Sequence, residues 1–389
     1  MYITFYQDIK QEFVQISFEE LMSNPFMDVP ENFNLSGIKT EKRSYNIPTH
    51  TAMTYFNKHI DINKVIQFLN VTKPCTLEEI PNMYTHFQIP KRTNPRKKRD
   101  IYTPKGTPLE MFQRHHKLFI DNYLHVLAHN AAHGYVEGRS TITERTIHQK
   151  KGNKWFLYLD LKDFFPSHNK DYSMKMLANV YPFGCIMSTI EGYKKIEEMM
   201  DYALLNDTLP QGTPLSPTLT NMLMMPIDTD ITNTLQTFDN KNFTYTRYAD
   251  DLTISCKQKF SPRKVIEVIE EILNKWNTPF KLNKEKIKFG SIAGRNYHLG
   301  IIINKDNQLK LGHKKNQKLR AAIFQYGMKH IANTNNPDIH QIQKLLGDIS
   351  YAKMIDKDYI NHVLQKYSEK FGTDVERHMI RTMNRSTNF

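Results

Sequence analysis

The chain has 389 residues, 39% of them hydrophobic, and a formal net charge of +13. That length suits two or three packed subdomains rather than one small domain. No run approaches 18 apolar residues, so no membrane span is expected, and the start Met-Tyr-Ile-Thr-Phe-Tyr-Gln-Asp lacks the basic and apolar signature of a signal peptide.

Cys75, Cys185 and Cys256 are odd in number and far apart, which points to reduced thiols in a cytoplasmic protein rather than a disulfide framework or zinc knuckle. The charge is uneven. Residues 1–75 hold 7 Lys/Arg against 8 Asp/Glu, whereas the remainder holds 46 against 32. A basic excess confined to one part of a chain is the footprint of a phosphate-binding surface.

In chain order, residues 1–80 read as an extension. Pro25, Pro30 and Pro48 argue for irregular connections, with one helix over Asp61–Leu69 capped by Asp61. No chemical motif falls there, so self-assembly or an accessory protein is the expected role. From Tyr84 to Pro104 the pattern alternates like two strands around a basic turn, and six of the nine residues 91–99 are Lys or Arg. A helix over about 107–128 contains Gln113. The loop His133-Gly-Tyr-Val-Glu-Gly-Arg-Ser140 follows.

Trp-Phe-Leu-Tyr-Leu (155–159) reads as an apolar strand ending at Asp160. Residues 171–205 read as helical, and Ser216-Pro217 as a helix start with proline in the first turn. Phe-Thr-Tyr-Thr-Arg (243–247) and Leu-Thr-Ile-Ser-Cys (252–256) flank Tyr248-Ala249-Asp250-Asp251 as a tight hairpin. Pro262–Trp276 carries Val265, Val268, Ile269, Ile272 and Leu273 at helical spacing. Phe280–Lys288 reads as a basic strand and turn, and Arg295–Ile303 as a further hairpin. A basic helix starts at Gly312, with Lys314 and Lys318 on one face, and a second helical region spans Pro337–Phe371.

The carboxylates carry the chemistry. Adjacent Asp250 and Asp251 raise each other's cost of ionising and persist best beside a cation. Asp160 lies 90 residues upstream. A carboxylate on a strand end and a pair on a hairpin can hold two Mg²⁺ ions, with Mn²⁺ able to substitute, for an in-line phosphoryl displacement.

Three motifs in order, Asp160-Leu-Lys-Asp-Phe-Phe165-Pro-Ser, Gln211-Gly-Thr-Pro-Leu-Ser-Pro-Thr-Leu-Thr-Asn221 and Tyr248-Ala-Asp-Asp251, resemble the palm of a reverse transcriptase over roughly residues 80–375. The resemblance implies an α+β right-hand polymerase: an extension at 1–80, fingers and palm at 81–294, palm edge and helical thumb at 295–389. It implies RNA template, DNA product and dNTPs as partners. Asp160 and Asp250 would bridge both metals, aided by Asp251 and the Leu161 carbonyl. Phe165 would be a steric gate against a 2′-hydroxyl, and Gln211 and Gly212 would lie on the nascent base pair. Arg99 would meet the triphosphate, and Lys286, with Lys284 competing, the leaving pyrophosphate. Lys97, Lys98, Arg139, Tyr248, Lys314, Lys315 and Lys318 would contact nucleic acid.

Within that family the chain is similar to the bacterial retron-type group, through Tyr-Thr-Arg-Tyr-Ala-Asp-Asp-Leu-Thr-Ile-Ser (245–255) and Gly347-Asp-Ile-Ser-Tyr. Two of the group's signatures depart. Asn-Ala-x-x-His reads Glu144-Arg145-Thr-Ile-His148, and Val-Thr-Gly reads His298-Leu299-Gly300. The departures suggest an anti-phage defence enzyme whose RNA recognition, with a dedicated non-coding RNA as the candidate partner, differs from the standard retron kind. The alternatives are an ordinary retron enzyme making RNA-linked DNA, or a template-independent or protein-primed polymerase of the abortive-infection type. A vestigial scaffold is disfavoured by the intact carboxylates, and an RNA-synthesising polymerase by Phe165.

Overall fold

The computed structural model describes residues 2–7, 12–17, 62–91, 94–123, 128–294, 296–333 and 338–386. Strand β1 (Tyr2–Gln7) pairs antiparallel with β2 (Glu12–Ser17). The expected cap Asp61 and Pro25, Pro30 and Pro48 lie outside the described residues, but the helix itself is present as Ile62–Leu69. Two compact units interleave along the chain. One holds Met1–Gly138, Leu159–Thr253 and Ser261–Ile287; the other holds Arg139–Tyr158, Ile254–Phe260 and Lys288–Phe389.

In the first unit, β3 (Thr85–Lys91) and β4 (Asn94–Thr103) form the expected basic hairpin. Its register shifts between Pro90 and Lys91, where proline has no N–H to give the ladder. Helix Pro108–Tyr123 is anchored by Gln113, whose amide donates to the Tyr202 carbonyl at 2.8 Å and the Tyr84 hydroxyl at 3.1 Å. Residues 62–80 are built into this unit: Phe68 stacks on Phe119, and the Tyr202 hydroxyl donates to the Cys75 carbonyl. The helical stretch after residue 170 is three pieces, Lys170–Leu177, Phe183–Ile186 and Ile190–Ala203.

A four-stranded sheet has the order β6 (Thr244–Tyr248), β7 (Asp251–Cys256), β5 (Trp155–Asp160), β8 (Lys288–Ser291). β5 is apolar and buried almost throughout because it has neighbours on both sides. The basic strand and turn expected over Phe280–Lys288 take the form of a single bridge from Leu282 to Leu161, a 3₁₀ turn at Lys284–Lys286, and strand pairing from Lys288.

In the second unit, β7 buries Ser255, whose hydroxyl lies 2.6 Å from His148 Nδ1 and accepts from Asn153 Nδ2 at 2.6 Å. The expected hairpin over 295–303 is corrected. Ile301–Ile303 (β9) pairs forward with Leu309–Leu311 (β10), and the preceding turn closes with a bridge from His298 to Ile301. Helix His313–Tyr326 starts after Gly312, and Ile339–Phe371 starts after Asp338, whose side chain accepts from the His340 N–H. The long helix kinks at Asp356, which pairs with Lys310 at 2.9 Å. With Val375–Ser386 these helices enclose Ile323, Ile349, Ala352 and Val363.

The two departures from the retron signatures meet in this unit. Glu144 and His298 approach to 3.7 Å, and His298 stacks on Tyr158 at 4.6 Å. The Arg145 guanidinium donates to the Tyr158 hydroxyl and the Asn296 carbonyl, both at 3.1 Å, and lies over the Phe156 ring. Burial, then the charges of Arg145 and Lys288, push His298 down to about 3, so at neutral pH it meets Glu144 as a neutral ring.

Candidate active site

The hairpin turn between β6 and β7 is Ala249-Asp250. Ala249 has φ +56°, a left-handed conformation in which glycine is usual. A buried clamp holds it there. Arg247 and Asp228 are both fully buried and pair at 2.7 Å; the Tyr245 hydroxyl donates to Asp228 at 2.7 Å. The remaining guanidinium donors go to the Ala249 carbonyl at 3.1 Å and the Asn221 side chain at 3.2 Å. Burial works against the Arg247 charge, but the Asp228 carboxylate outweighs it and its pKa is raised.

β5 brings Asp160 alongside, 5% exposed. The Leu161 N–H donates to the Asp250 carbonyl at 2.9 Å, and the Asp160 carbonyl accepts from the Asn283 N–H at 2.8 Å. Backbone bonds therefore fix the chain on either side of the Asp160 side chain. Burial, then the charge of Asp160, pushes the Asp250 carboxyl up. Lys286 Nζ lies 2.6 Å from Asp160 Oδ2. Burial opposes its charge, but Asp160, Asp250 and Asp251 together raise its pKa. Lys286, not Lys284, faces the carboxylates; Lys284 approaches Glu270 at 3.9 Å. Among the described residues no three His, Cys, Asp or Glu side chains stand grouped as a metal cage. The cation in the cluster is the Lys286 ammonium.

Phe164 and Phe165 divide inner and outer roles. Phe164 lies against His168 and Phe280 in the core. Phe165, 8% exposed, meets Phe164 edge-on at 5.7 Å and Tyr135 edge-on at 6.2 Å. Gln211 and Gly212 dock on β4: the Tyr102 N–H donates to the Gln211 carbonyl at 2.8 Å. Gly212 has φ +107°, and a Cβ there would lie 2.6 Å from Ile101 Cγ2, so only glycine fits. The Gln211 Oε1 is buried without a hydrogen-bond partner.

Arg99 is exposed on β4 opposite Ile89, and its charge is felt at both Asp250 and Tyr135. Lys97 and Lys98 are exposed on the same strand, and Tyr248 is half-buried at the end of β6. The second unit holds Arg139, half-buried with its pKa lowered by burial, and the exposed Lys314 and Lys318. Lys315 differs from its neighbours: its ammonium lies over the Tyr351 ring at 4.6 Å. Sequence reasoning missed Tyr135 and the Asp228–Arg247 clamp. The signal for the clamp was an arginine in an otherwise apolar-faced strand one residue before Tyr-Ala-Asp-Asp.

The family described as "Reverse transcriptase (RNA-dependent DNA polymerase)" matches residues 89–320. This chain belongs to the reverse transcriptase family. It is an RNA-directed DNA polymerase of the bacterial retron type with the α+β polymerase fold. This reverse transcriptase is 27% identical to Retron Ec73 reverse transcriptase of Escherichia coli over 297 residues, 73% of this chain and 90% of that protein. It is 25% identical to Retron Ec83 reverse transcriptase of Escherichia coli over 329 residues, 82% of this chain and 98% of that one. Retron Mx65 reverse transcriptase of Myxococcus xanthus matches at 27% over 73% of this chain and 64% of its own length. Among solved structures, apo telomerase from Candida Tropicalis aligns with TM-score 0.42 and 13% identity over 78% of this chain and 62% of that one. No described helix is long and apolar enough to cross a membrane.

Proposed function

We propose that this reverse transcriptase copies a dedicated non-coding RNA into DNA in an anti-phage defence system, by two-metal phosphoryl transfer. The observation that carries the reading is the under-neutralised carboxylate cluster: Asp250 is raised by burial and by Asp160, and a lysine ammonium sits 2.6 Å from Asp160. Such a cluster fits divalent cations, and members of this family use them. Asp160 and Asp250 would be the shared ligands, with Asp251 and the Leu161 carbonyl completing the set. When bound, two Mg²⁺ ions would neutralise charge at the primer 3′-oxygen and at the triphosphate.

The chain's own residues then position the reactants. Lys286, released from Asp160, turns to the leaving pyrophosphate, and Arg99 meets the triphosphate. Phe165 closes the space beside the sugar 2′-carbon, with Gln211 and Gly212 against the nascent base pair. Lys97, Lys98, Arg139, Tyr248, Lys314 and Lys318 track nucleic acid, with Lys315 held more rigidly by its ring contact. Glu144, Arg145 and His298 are buried, so the departures at these positions would alter RNA recognition through the elements they hold together and not by touching RNA.

The test is primer extension on an RNA template together with sequencing of nucleic acid copurified from the native locus. Asp160→Ala and Asp250→Ala are expected to abolish synthesis while leaving the fold intact. Wild-type extension by either variant would remove the assignment. A single non-coding RNA and DNA copied from it are expected in the copurified material. A structured RNA covalently joined to branched DNA would restore the ordinary retron reading, and DNA matching no copurified RNA would overturn the RNA-templated one.

A further inference from the structure

The loop Ala131–Gly138 is locked to the catalytic hairpin. The Arg247 N–H donates to the Ala131 carbonyl at 2.6 Å, and the His133 N–H donates to the Arg247 carbonyl at 2.7 Å. The Asn221 amide donates to the Gly134 carbonyl at 2.9 Å. A Cβ on Gly134 would lie 2.8 Å from the Ala249 nitrogen, so the two backbones touch.

The next residue, Tyr135, is held by these bonds in an uncommon state. Its φ is +60°, left-handed for a bulky side chain, and it stays 55% exposed. A large aromatic at a strained, open position is an outlier that points to function. Its ring meets Phe165 edge-on at 6.2 Å with an interplanar angle of 88°. Although much of its surface is open, burial of the hydroxyl raises its pKa, with Asp250 and Tyr248 adding and Arg99 opposing. Ring and hydroxyl thus lie among the groups assigned to the sugar and the triphosphate.

We infer that Tyr135 is a specificity-determining positioning residue for the incoming deoxynucleoside triphosphate: it braces the open side of the Phe165 ring and forms the second wall of the sugar pocket. This rests on the reading of Phe165 as the sugar gate. Phe165 is held on one side by Phe164, which the core fixes, and on the other by Tyr135. Without that outer brace the Phe165 ring can rotate away, and a 2′-hydroxyl then fits.

The experiment compares kcat/KM for dGTP and rGTP in the full-length wild type, Tyr135→Phe, Tyr135→Ala, Tyr135→Gly, Phe165→Ala and Phe165→Ala/Tyr135→Ala, alongside Tm and primer–template Kd. Deoxynucleotide preference is expected to fall roughly three- to tenfold in Tyr135→Ala, the scale an edge-to-face aromatic pair supplies. Tyr135→Phe should retain most of the preference. The double variant should lose less preference than the sum of the two single losses, because part of the Tyr135 effect runs through the Phe165 ring. Tyr135→Gly should lose the preference while its Tm holds or rises, since glycine relieves the left-handed strain; a merely structural tyrosine would lose both together. An unchanged preference in Tyr135→Ala beside a changed one in Phe165→Ala would overturn the inference and leave the gate standing. An unchanged preference in Phe165→Ala would remove the gate reading itself. A change confined to primer–template Kd would assign Tyr135 to the template and overturn the inference.

Discussion

Two charge clusters meet at the hairpin of Tyr248–Asp251, one fully buried and one partly open, and they are built in opposite ways. Asp228 and Arg247 are matched: one carboxylate, one guanidinium, both fully buried, with the remaining donors satisfied by Ala249 and Asn221. Asp160, Asp250 and Asp251 are mismatched, with the Lys286 ammonium among three carboxylates. The matched cluster has nothing to gain from a ligand and serves as a clamp. The mismatched one stores unfavourable charge that an added cation relieves.

The sharpest way to break the comparison is to unmatch the clamp. Asp228→Ala leaves a buried guanidinium without its partner and should cost about 3–5 kcal/mol in urea unfolding. The paired replacement Asp228→Leu/Arg247→Met should recover much of that stability while DNA synthesis stays low, because the Ala249 carbonyl has lost its donor. Recovery of both would show that the clamp only fills space.

A smaller effect is expected where Gln211-Gly212 meets β4. Gly212→Ala forces a methyl against Ile101 in a left-handed backbone and should cost about 1–3 kcal/mol. Its KM for dNTP should rise with the loss of stability; an unchanged KM would detach Gly212 from the nucleotide.

The mismatched cluster can be tested by titration. Asp250 has a folded pKa above its ordinary 3.8, raised by burial and then by Asp160. Its contribution to stability is therefore fully present below 3.8 and is lost as pH rises through the folded value. In EDTA, Asp250→Asn should be more stable than the wild type at pH 7, because the amide carries no charge to bury, and the difference should vanish as the solution is acidified below the ordinary carboxylate range. Mg²⁺ should raise the wild-type Tm and leave that of Asp250→Asn nearly unmoved. Equal responses would mean the cluster is not where the cation binds.

The smallest change sharpens the role of the turn. Ala249→Gly removes left-handed strain and should stabilise by up to about 1 kcal/mol, read as a rise in Tm. A fall would show that the buried methyl packs more favourably than the strain costs.

Features set by local pattern were legible in the sequence. β5 ending at Asp160, the Ala249-Asp250 turn between alternating strands and the helix after Gly312 all follow from neighbours a few residues apart. What escaped depends on distant contacts. Lys286 reaches Asp160 across 126 residues. Tyr135 gains its meaning from Arg247, Asn221 and Phe165, none of which its own loop announces. Glu144 and His298 read as two separate departures, and their contact appears only in three dimensions. The apolar run Ile301–Ile303 could pair backward or forward. The deciding signal was the turn ahead of it, where Asn307 adopts φ +58° and lets the chain return as β10. The basic run 280–288 reads as a strand and turn, but which of Lys284 and Lys286 the turn aims at Asp160 is set by the three-dimensional path of that turn.

Gly134 sets a tolerance limit that reaches beyond its own loop. Because its missing side chain is what lets one backbone rest on the nitrogen of Ala249, any other residue there is a wedge one atom wide beside the Asp250 turn. In a saturation library selected for DNA synthesis, position 134 should therefore empty as completely as the carboxylates, although glycine contributes no functional group. Survivors at that position would be expected to carry second-site changes at Tyr248 or Ala249, the residues against which the wedge would push.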